Sequence, residues 1–437
     1  VSDSQMHKKN RIKGAKLSLL IRLLNLSLSF LLSYLLAKNL GVNGFGAFSY
    51  AITWSSLLSI PSTLGFDKLL VREISVNSAK EDWKKIKNLT YFSTILTIAS
   101  SFTIAFITGI VIFFLKPIND AIMLSAFFLG LASVPIIALK NIRLSVTKGF
   151  NKVILGLIPE MLVSPLIFVI SLLLVSILAP KYLTPIIAVG LFILANFLSF
   201  ILGAIIQYRV TPKKVHLARL NLNLSSFKWL TRSLPFMFVE AIRLIQVRTD
   251  IVMLGIFSTS TEVGLYSISA RLASLVALSL MSVNSVLSPK IAKLNVENKT
   301  SEMQAVVSEN TRFILFISLS ISAIIVIFSG FILNVFGNGF SEAGSALKIL
   351  VLGRLIDAFF GPVGLILAMT NNEKDIAVSG VISTALNVIL NFMLIQKYGA
   401  VGAALATFSS IMLVNILNFR AVVKKLNINT TIIPLTF

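Results

Sequence analysis

LSLLIRLLNLSLSFLLSYLLA, residues 17–37, holds a single charged side chain, Arg22, in a run made otherwise of leucine, serine, aromatic residues, Ile21, Asn25 and Ala37. About 20 apolar residues in a helix cross the roughly 30 Å hydrocarbon core of a bilayer. The run therefore predicts a transmembrane helix, and the chain repeats the pattern. Similar spans cover approximately 45–67, 89–115, 121–140, 153–178 and 185–208, then 235–257, 262–288, 312–336, 344–370, 375–396 and 399–422. The expected fold class is all-α, a polytopic membrane protein with about 12 transmembrane helices. Composition agrees: 56% of the 437 residues are hydrophobic and 13% charged, where a soluble domain carries about a quarter charged residues.

KNLGVNG at 38–44 offers no small-residue cleavage site, so the first span reads as a retained helix and not a signal peptide. Absence of cysteine removes disulfides, thiolate metal sites and a cysteine nucleophile. His7 and His216 both lie in basic polar segments without acidic neighbours, which suits solvated residues better than ligands. No metal site and no organic cofactor is expected. The net charge of +22 does not indicate nucleic acid, because the cations flank the apolar spans.

Orientation follows from that flanking. Lys8, Lys9, Arg11, Lys13 and Lys16 precede the first span, and Lys68, Arg72, Lys80, Lys84, Lys85 and Lys87 follow the second. Lys140, Arg143, Lys148 and Lys152 read as a loop on that face, as do the connector between the halves and the basic residues around 290–312, 374 and 420–425. Opposite connections offer Lys38, Lys116, Lys181 and Lys397. The tally is roughly 29 against roughly 4, which puts both termini in the cytoplasm. The predicted division is an N-terminal six-helix bundle over 1–208, a cytoplasmic linker over 209–234 and a C-terminal six-helix bundle over 235–437. Halves with an even number of crossings share one orientation, so the repeat is of the parallel kind. GFGAFSYA at 44–51 resembles EVGLYSIS at 262–269, each opening the second helix of its half.

Ionisable residues inside spans are expensive, about 2.5–3.5 kcal/mol or more each at mid-membrane, so they face protein or water. In VEAIRLIQVRTDIVMLG, residues 239–255, Glu240, Arg243, Gln246 and Asp250 fall on one side of a helix. Arg248 points away and can snorkel or pair elsewhere. Ser18, Arg22, Asn25, Ser29 and Ser33 form a polar seam on the first span. Arg271 aligns with serines of the eighth, Arg354 and Asp357 share a face of the tenth, and Glu160 sits between Pro159 and Ser164 in the fifth. Two readings stand for the paired groups: Asp250 with Arg271, Arg354 with Asp357 and Glu240 with Arg243 either join helices or meet a substrate. Arg22 has no acid on its own helix, which favours a lining role. Polar seams from both halves describe a transporter. Arginine suits an anionic cargo because its planar fork donates paired hydrogen bonds and stays charged.

AKNLGVNGFGAFSYA at 37–51 with LGF at 64–66 and VRE at 71–73, RTDIVMLGIFSTSTEVGLYSISARL at 248–272 and YGAVGAALATFSS at 398–410 together resemble the Wzx-type oligosaccharide flippases of the polysaccharide-export family, whose superfamily includes lipid II flippases and multidrug extruders. The resemblance spans nearly the whole chain through diffuse, structural motifs. It implies two six-helix bundles around a V-shaped cavity with alternating access. It also implies export of polyprenyl-pyrophosphate-linked repeat units for O-antigen, capsule or exopolysaccharide across a bacterial plasma membrane. A polysaccharide polymerase and chain-length machinery would be partners beside membrane lipids and the anionic lipid-linked oligosaccharide. Arg22, Asn25, Arg243, Arg271 and Arg354 would then line the cavity. Glu160, Glu240, Asp250 and Asp357 are candidates for coupling to a proton or sodium gradient or to the membrane potential. A cation-coupled multidrug antiporter and a membrane-embedded glycan polymerase or ligase are the competing readings. The first wants acids without adjacent arginines and the second a large outer loop. A purely structural scaffold predicts that Arg22→Ala leaves transport intact. No GxxxxGK[ST] loop occurs, so the chain itself consumes no ATP.

Overall fold

A computed structural model describes residues 3–115, 118, 120–221 and 227–432, with side chains from residue 17 onward except residue 19. Lys116 and the side chains of His7, Lys8, Lys9, Arg11, Lys13 and Lys16 lie outside the described part.

Helix α1 runs Asp3–Thr63, α2 Phe66–Ala79, α3 Trp83–Leu115, α4 Ala121–Leu131, α5 Ser133–Gly149 and α6 Val153–Ile158. A π-helical turn, Pro159–Val163, joins α6 to α7, Ser164–Leu178. Then come α8 Pro185–Val210, α9 Lys213–Leu217, α10 Phe227–Phe257, α11 Ser260–Val296, α12 Thr300–Ile327, α13 Ser329–Phe336, α14 Gly344–Phe360, α15 Val363–Met369 and α16 Glu373–Leu426.

Among the described residues seven helices are long and apolar enough to cross a membrane, and nine segments are if two bent pairs each count as one span. Two of the seven are far too long for one crossing. The 54 residues of α16 would extend about 80 Å at 1.5 Å per residue, against a core of about 30 Å. Each is broken by a glycine: Gly41 (φ 67°, ψ −178°) in α1 and Gly399 (φ 51°, ψ −128°) in α16. Only a residue without Cβ takes these angles cheaply, so the chain turns there and the next span begins. The 31 residues of α10 also suffice in length. Counting that helix by its length and dividing α1 and α16 at their kinks gives twelve segments of spanning length among the described residues.

Of the two paired half-helices, the first corrects an expected boundary and the second falls where a span was expected. The fourth span is α4 plus α5, bent by 41° at Ala132, and it runs to Gly149 instead of ending at 140. The tenth is the segment Phe340–Phe360 plus α15, bent by 45° at Gly361–Pro362. The broken helix is thus the fourth of each half. Interrupted helices at corresponding positions of two repeats are a pointer to binding sites in transporters.

The chain divides into two compact units, Val1–Arg248 and Thr249–Phe437, with the division inside α10 and C-terminal to the polar connector. Unit 1 packs a core of Phe66, Leu69, Leu70, Ile74, Ile86, Leu89, Ile142, Val146 and Val215 beneath α2, the helix that follows the turn at Gly65. Unit 2 packs Leu287, Ile291, Met303, Val307, Ile366, Leu367 and Val422.

Candidate functional site

Lys140 and Arg143 do not lie in a loop. They are buried in α5, 6% and 2% exposed, and they close on Glu160. Lys140 Nζ lies 2.7 Å from Glu160 Oε2, and Arg143 Nη2 donates to Glu160 Oε1. The physical reason is the bend at Ala132, which carries the fourth span past its expected end and keeps these side chains inside the protein. Lys140 also donates to Asn196 Oδ1 at 2.6 Å on α8. Gly203, further along α8, makes room for the guanidinium: any Cβ there would overlap it. Two buried cations share one carboxylate, and Nε and Nη1 of Arg143 have no hydrogen-bond partner.

Glu160 belongs to the π-helical turn, and proline explains how that turn is used. Pro165 has no N–H to return to the carbonyl of Met161 four residues earlier. Asn25 Nδ2 donates to that carbonyl at 2.8 Å instead. Ser199 Oγ donates to the carbonyl of Pro159 at 2.6 Å. Asn25, expected in a polar seam, therefore ties α1 to the turn that holds Glu160.

Arg22, one turn before Asn25, is exposed and makes no hydrogen bond or ion pair among the described residues. Its charge acts on Lys148 together with that of Lys68, with Asp67 and Glu160 opposing them. In α2, outside the spans, burial pushes the Asp67 carboxyl above its ordinary range; Lys68 opposes this and Glu240 reinforces it. Glu240 accepts from Arg243 Nε at 3.0 Å and has Lys68 Nζ at 3.9 Å. The Arg243 side chain remains 60% exposed.

The polar face expected on α10 is split. Glu240 and Arg243 belong to unit 1, whereas Asp250 is buried in unit 2, 4% exposed. The bridge to Arg271 suggested by the sequence is not how this carboxylate is satisfied. Oδ1 accepts from Asn387 Nδ2 at 3.1 Å and Asn391 Nδ2 at 2.6 Å; Oδ2 accepts from Tyr266 Oη at 2.5 Å and Thr407 Oγ1 at 2.8 Å. Four neutral donors hold the anion, and Asn391 Oδ1, also buried, has no partner. Asn387, Asn391 and Thr407 come from α16 on both sides of the Gly399 kink. Glu262 secures that kink by accepting from Ala400 N at 2.5 Å, which caps the half-helix that starts there.

The repeat motifs gain meaning from this site. Phe48 in 44–51 and Tyr266 in 262–269 hold the same place. Phe48 packs against Phe168 and Phe192, centroids 5.9 and 6.3 Å away, whereas Tyr266 completes the Asp250 cage. Arg354 and Asp357 pair at 3.2 Å on α14, one turn before the Gly361 break, and Asn415 Nδ2 adds a bond to Asp357 at 2.6 Å. Arg271 lies in unit 2 on α11, half-buried. Sequence reading missed Lys140 and Arg143 as buried groups and missed the cage residues Asn387, Asn391 and Thr407. An i,i+4 asparagine pair inside an apolar run was the available signal for the latter.

Comparison with known proteins gives a consistent picture. The family model described as polysaccharide biosynthesis protein matches residues 12–295, and the MatE model matches residues 235–393. The chain is similar to the probable low-salt glycan biosynthesis flippase Agl15 of Haloferax volcanii, 31% identical over 159 residues, which is 36% of this chain and 34% of that protein. It is also similar to the probable flippase AglR of the same organism, 29% identical over 180 residues, 40% and 37% of the two chains. The matched stretches thus cover little more than a third of these relatives' own length. Among solved structures, an inward-facing multidrug resistance MATE family transporter has a TM-score of 0.76 at 12% identity, covering 92% of this chain and 94% of that one. The lipid II flippase MurJ in an inward closed conformation has a TM-score of 0.73 at 17% identity, covering 94% and 87%. At these identities the likeness is one of fold.

Proposed function

For this chain, which belongs to the polysaccharide biosynthesis protein family, we propose the activity of a flippase that moves a lipid-linked glycan from the cytoplasmic to the outer leaflet of the cell membrane. The cargo is a polyprenyl-pyrophosphate-linked oligosaccharide repeat unit destined for a surface polysaccharide, carried by alternating access with both termini cytoplasmic. The observation that carries this reading is Arg22, a cation on a membrane-crossing helix that is exposed and without a counter-charge among the described residues. Exposure to lipid is too costly for such a group, so it faces water or an anionic passenger. Lys148 lies near enough to feel the charge of Arg22. Arg243, of the same unit, would add a planar donor for phosphate or carboxylate, and Arg271 and Arg354 would be the corresponding cations of unit 2.

Asp250 would be the coupling carboxylate. A proton taken up at Asp250 would displace one of its four donors, and a hard monovalent cation there would require the Asn387 and Asn391 amides to turn their oxygens toward the carboxylate. The unpartnered Asn391 Oδ1 fits that use.

The test is transport of a fluorescent lipid-linked oligosaccharide in proteoliposomes. Arg22→Ala is expected to reduce flipping while protein level and thermal unfolding stay those of the parent, with Arg22→Lys intermediate. Flipping at the parental rate by Arg22→Ala refutes the lining role. Asp250→Asn is expected to remove dependence on an imposed cation gradient; a variant still driven by the gradient refutes the coupling role. Uptake of dye cations in place of lipid-linked glycan would favour the multidrug antiporter.

A further inference from the structure

Between Tyr208 and Arg232 the chain contains no acidic residue and six cations: Arg209, Lys213, Lys214, Arg219, Lys228 and Arg232. The first part of this connector is not a loose tether. Lys87 Nζ on α3 donates to the carbonyls of His216 and Ala218, at 2.7 and 2.8 Å. Asn221 N donates to Asn88 Oδ1 at 3.0 Å. Val215 is buried in the unit 1 core, and Lys214 lies over the Trp83 ring and 3.4 Å from Glu81. The segment is therefore folded down onto the start of α3, immediately after α8 ends at Val210.

What this fixed segment displays is unusual for a surface that meets only water. Leu217 is 83% exposed and Tyr208 68%, the latter against the His216 ring, and in the same short segment Arg209, Lys213 and Arg219 are exposed and make no ion pair among the described residues. Apolar side chains standing among unpaired cations at the end of a membrane span match the interface of a bilayer, where the first enter the acyl boundary and the second meet phosphate. We propose that this face, built by residues 208–221 on the start of α3, binds the head groups of anionic phospholipids. Positive charge with no acid in the segment selects anionic over zwitterionic lipid. The backbone clamp by Lys87 keeps the cations in place, so binding needs little ordering of the chain. The inference is independent of which cargo the protein moves.

The experiment is amide hydrogen exchange on the full chain in lipid nanodiscs. When phosphatidylcholine discs are replaced by discs with one third phosphatidylglycerol, exchange over residues 213–221 is expected to slow by about tenfold. Each basic side chain near an anionic surface contributes about fivefold to affinity. The double variant Lys213→Gln/Arg219→Gln, which leaves Lys214 on Glu81 and Trp83, should therefore return exchange close to the phosphatidylcholine rate with unchanged thermal unfolding. Equal exchange of the parent in both lipids overturns the proposal, as does slowing that survives in the double variant. Slowing by inorganic phosphate in phosphatidylcholine discs would overturn it in favour of a small-anion site.

Discussion

Replacing Asn25 by valine should expose how Pro165 is tolerated in a span. The substitution removes the 2.8 Å bond to the Met161 carbonyl and supplies no other donor. Interhelical hydrogen bonds in membrane proteins contribute about 0.6–2 kcal/mol, and an acceptor left without a partner away from water adds a desolvation penalty, so a total loss of about 1–3 kcal/mol is expected. The cause can be isolated because the missing N–H belongs to a proline. Pro165→Ala restores a backbone N–H four residues after Met161, which can serve the same carbonyl. In that background Asn25→Val should cost less than about 1 kcal/mol, a coupling of about 1–2 kcal/mol in a double-mutant cycle. The assay is thermal or denaturant unfolding of the four proteins in one detergent. If Asn25→Val costs the same with proline or alanine at 165, the reasoning from the orphaned carbonyl is wrong.

Other perturbations follow from the buried groups. Glu160→Gln leaves Lys140 and Arg143 buried without their anion and should destabilise unit 1 by about 3–5 kcal/mol; adding Lys140→Met should recover part of that loss in the same unfolding assay. Gly203→Ala drives a methyl into the Arg143 guanidinium and should cost about 1–3 kcal/mol, a cost that shrinks when Arg143 is shortened to alanine. Phe48→Tyr brings a hydroxyl among the Phe168 and Phe192 rings and should destabilise by about 1–3 kcal/mol in the same unfolding assay. Gly399→Ala forces a Cβ into a positive-φ kink and against Glu262, for a loss of about 1–3 kcal/mol, and Gly361→Ala, at φ 68° against Thr311, should behave alike.

Much of the fold was legible because hydrocarbon imposes a simple rule. Every backbone group in a span must be satisfied within the segment, so long apolar runs have one outcome. The kink glycines could also be recognised as boundaries, since GVNG at 41–44 and YGAVG at 398–402 separate apolar runs of span length. Charged residues were harder. Lys140 and Arg143 look like flanking cations when the fourth span is given an ordinary length, and nothing local reports that the helix bends at Ala132 and continues. Helical periodicity put Glu240 and Asp250 on one face, which is correct geometry, yet their surroundings differ entirely because α10 passes from one compact unit into the other.

The sequence by itself determined that this is a multi-helix membrane protein, where its spans lie, and which side chains are too costly to leave in lipid; these depend on transfer energies and on the length of a helix, quantities local to each segment. Tertiary structure alone decided the partners of those side chains. Asp250 meets asparagines and a threonine more than 130 residues away, Glu160 takes two cations from a neighbouring helix, and Asn25 answers a carbonyl that a distant proline left open. Hydrogen bonds are short-ranged and directional, so which groups meet is set by how helices pack, and that packing carries no periodic trace in any one of them.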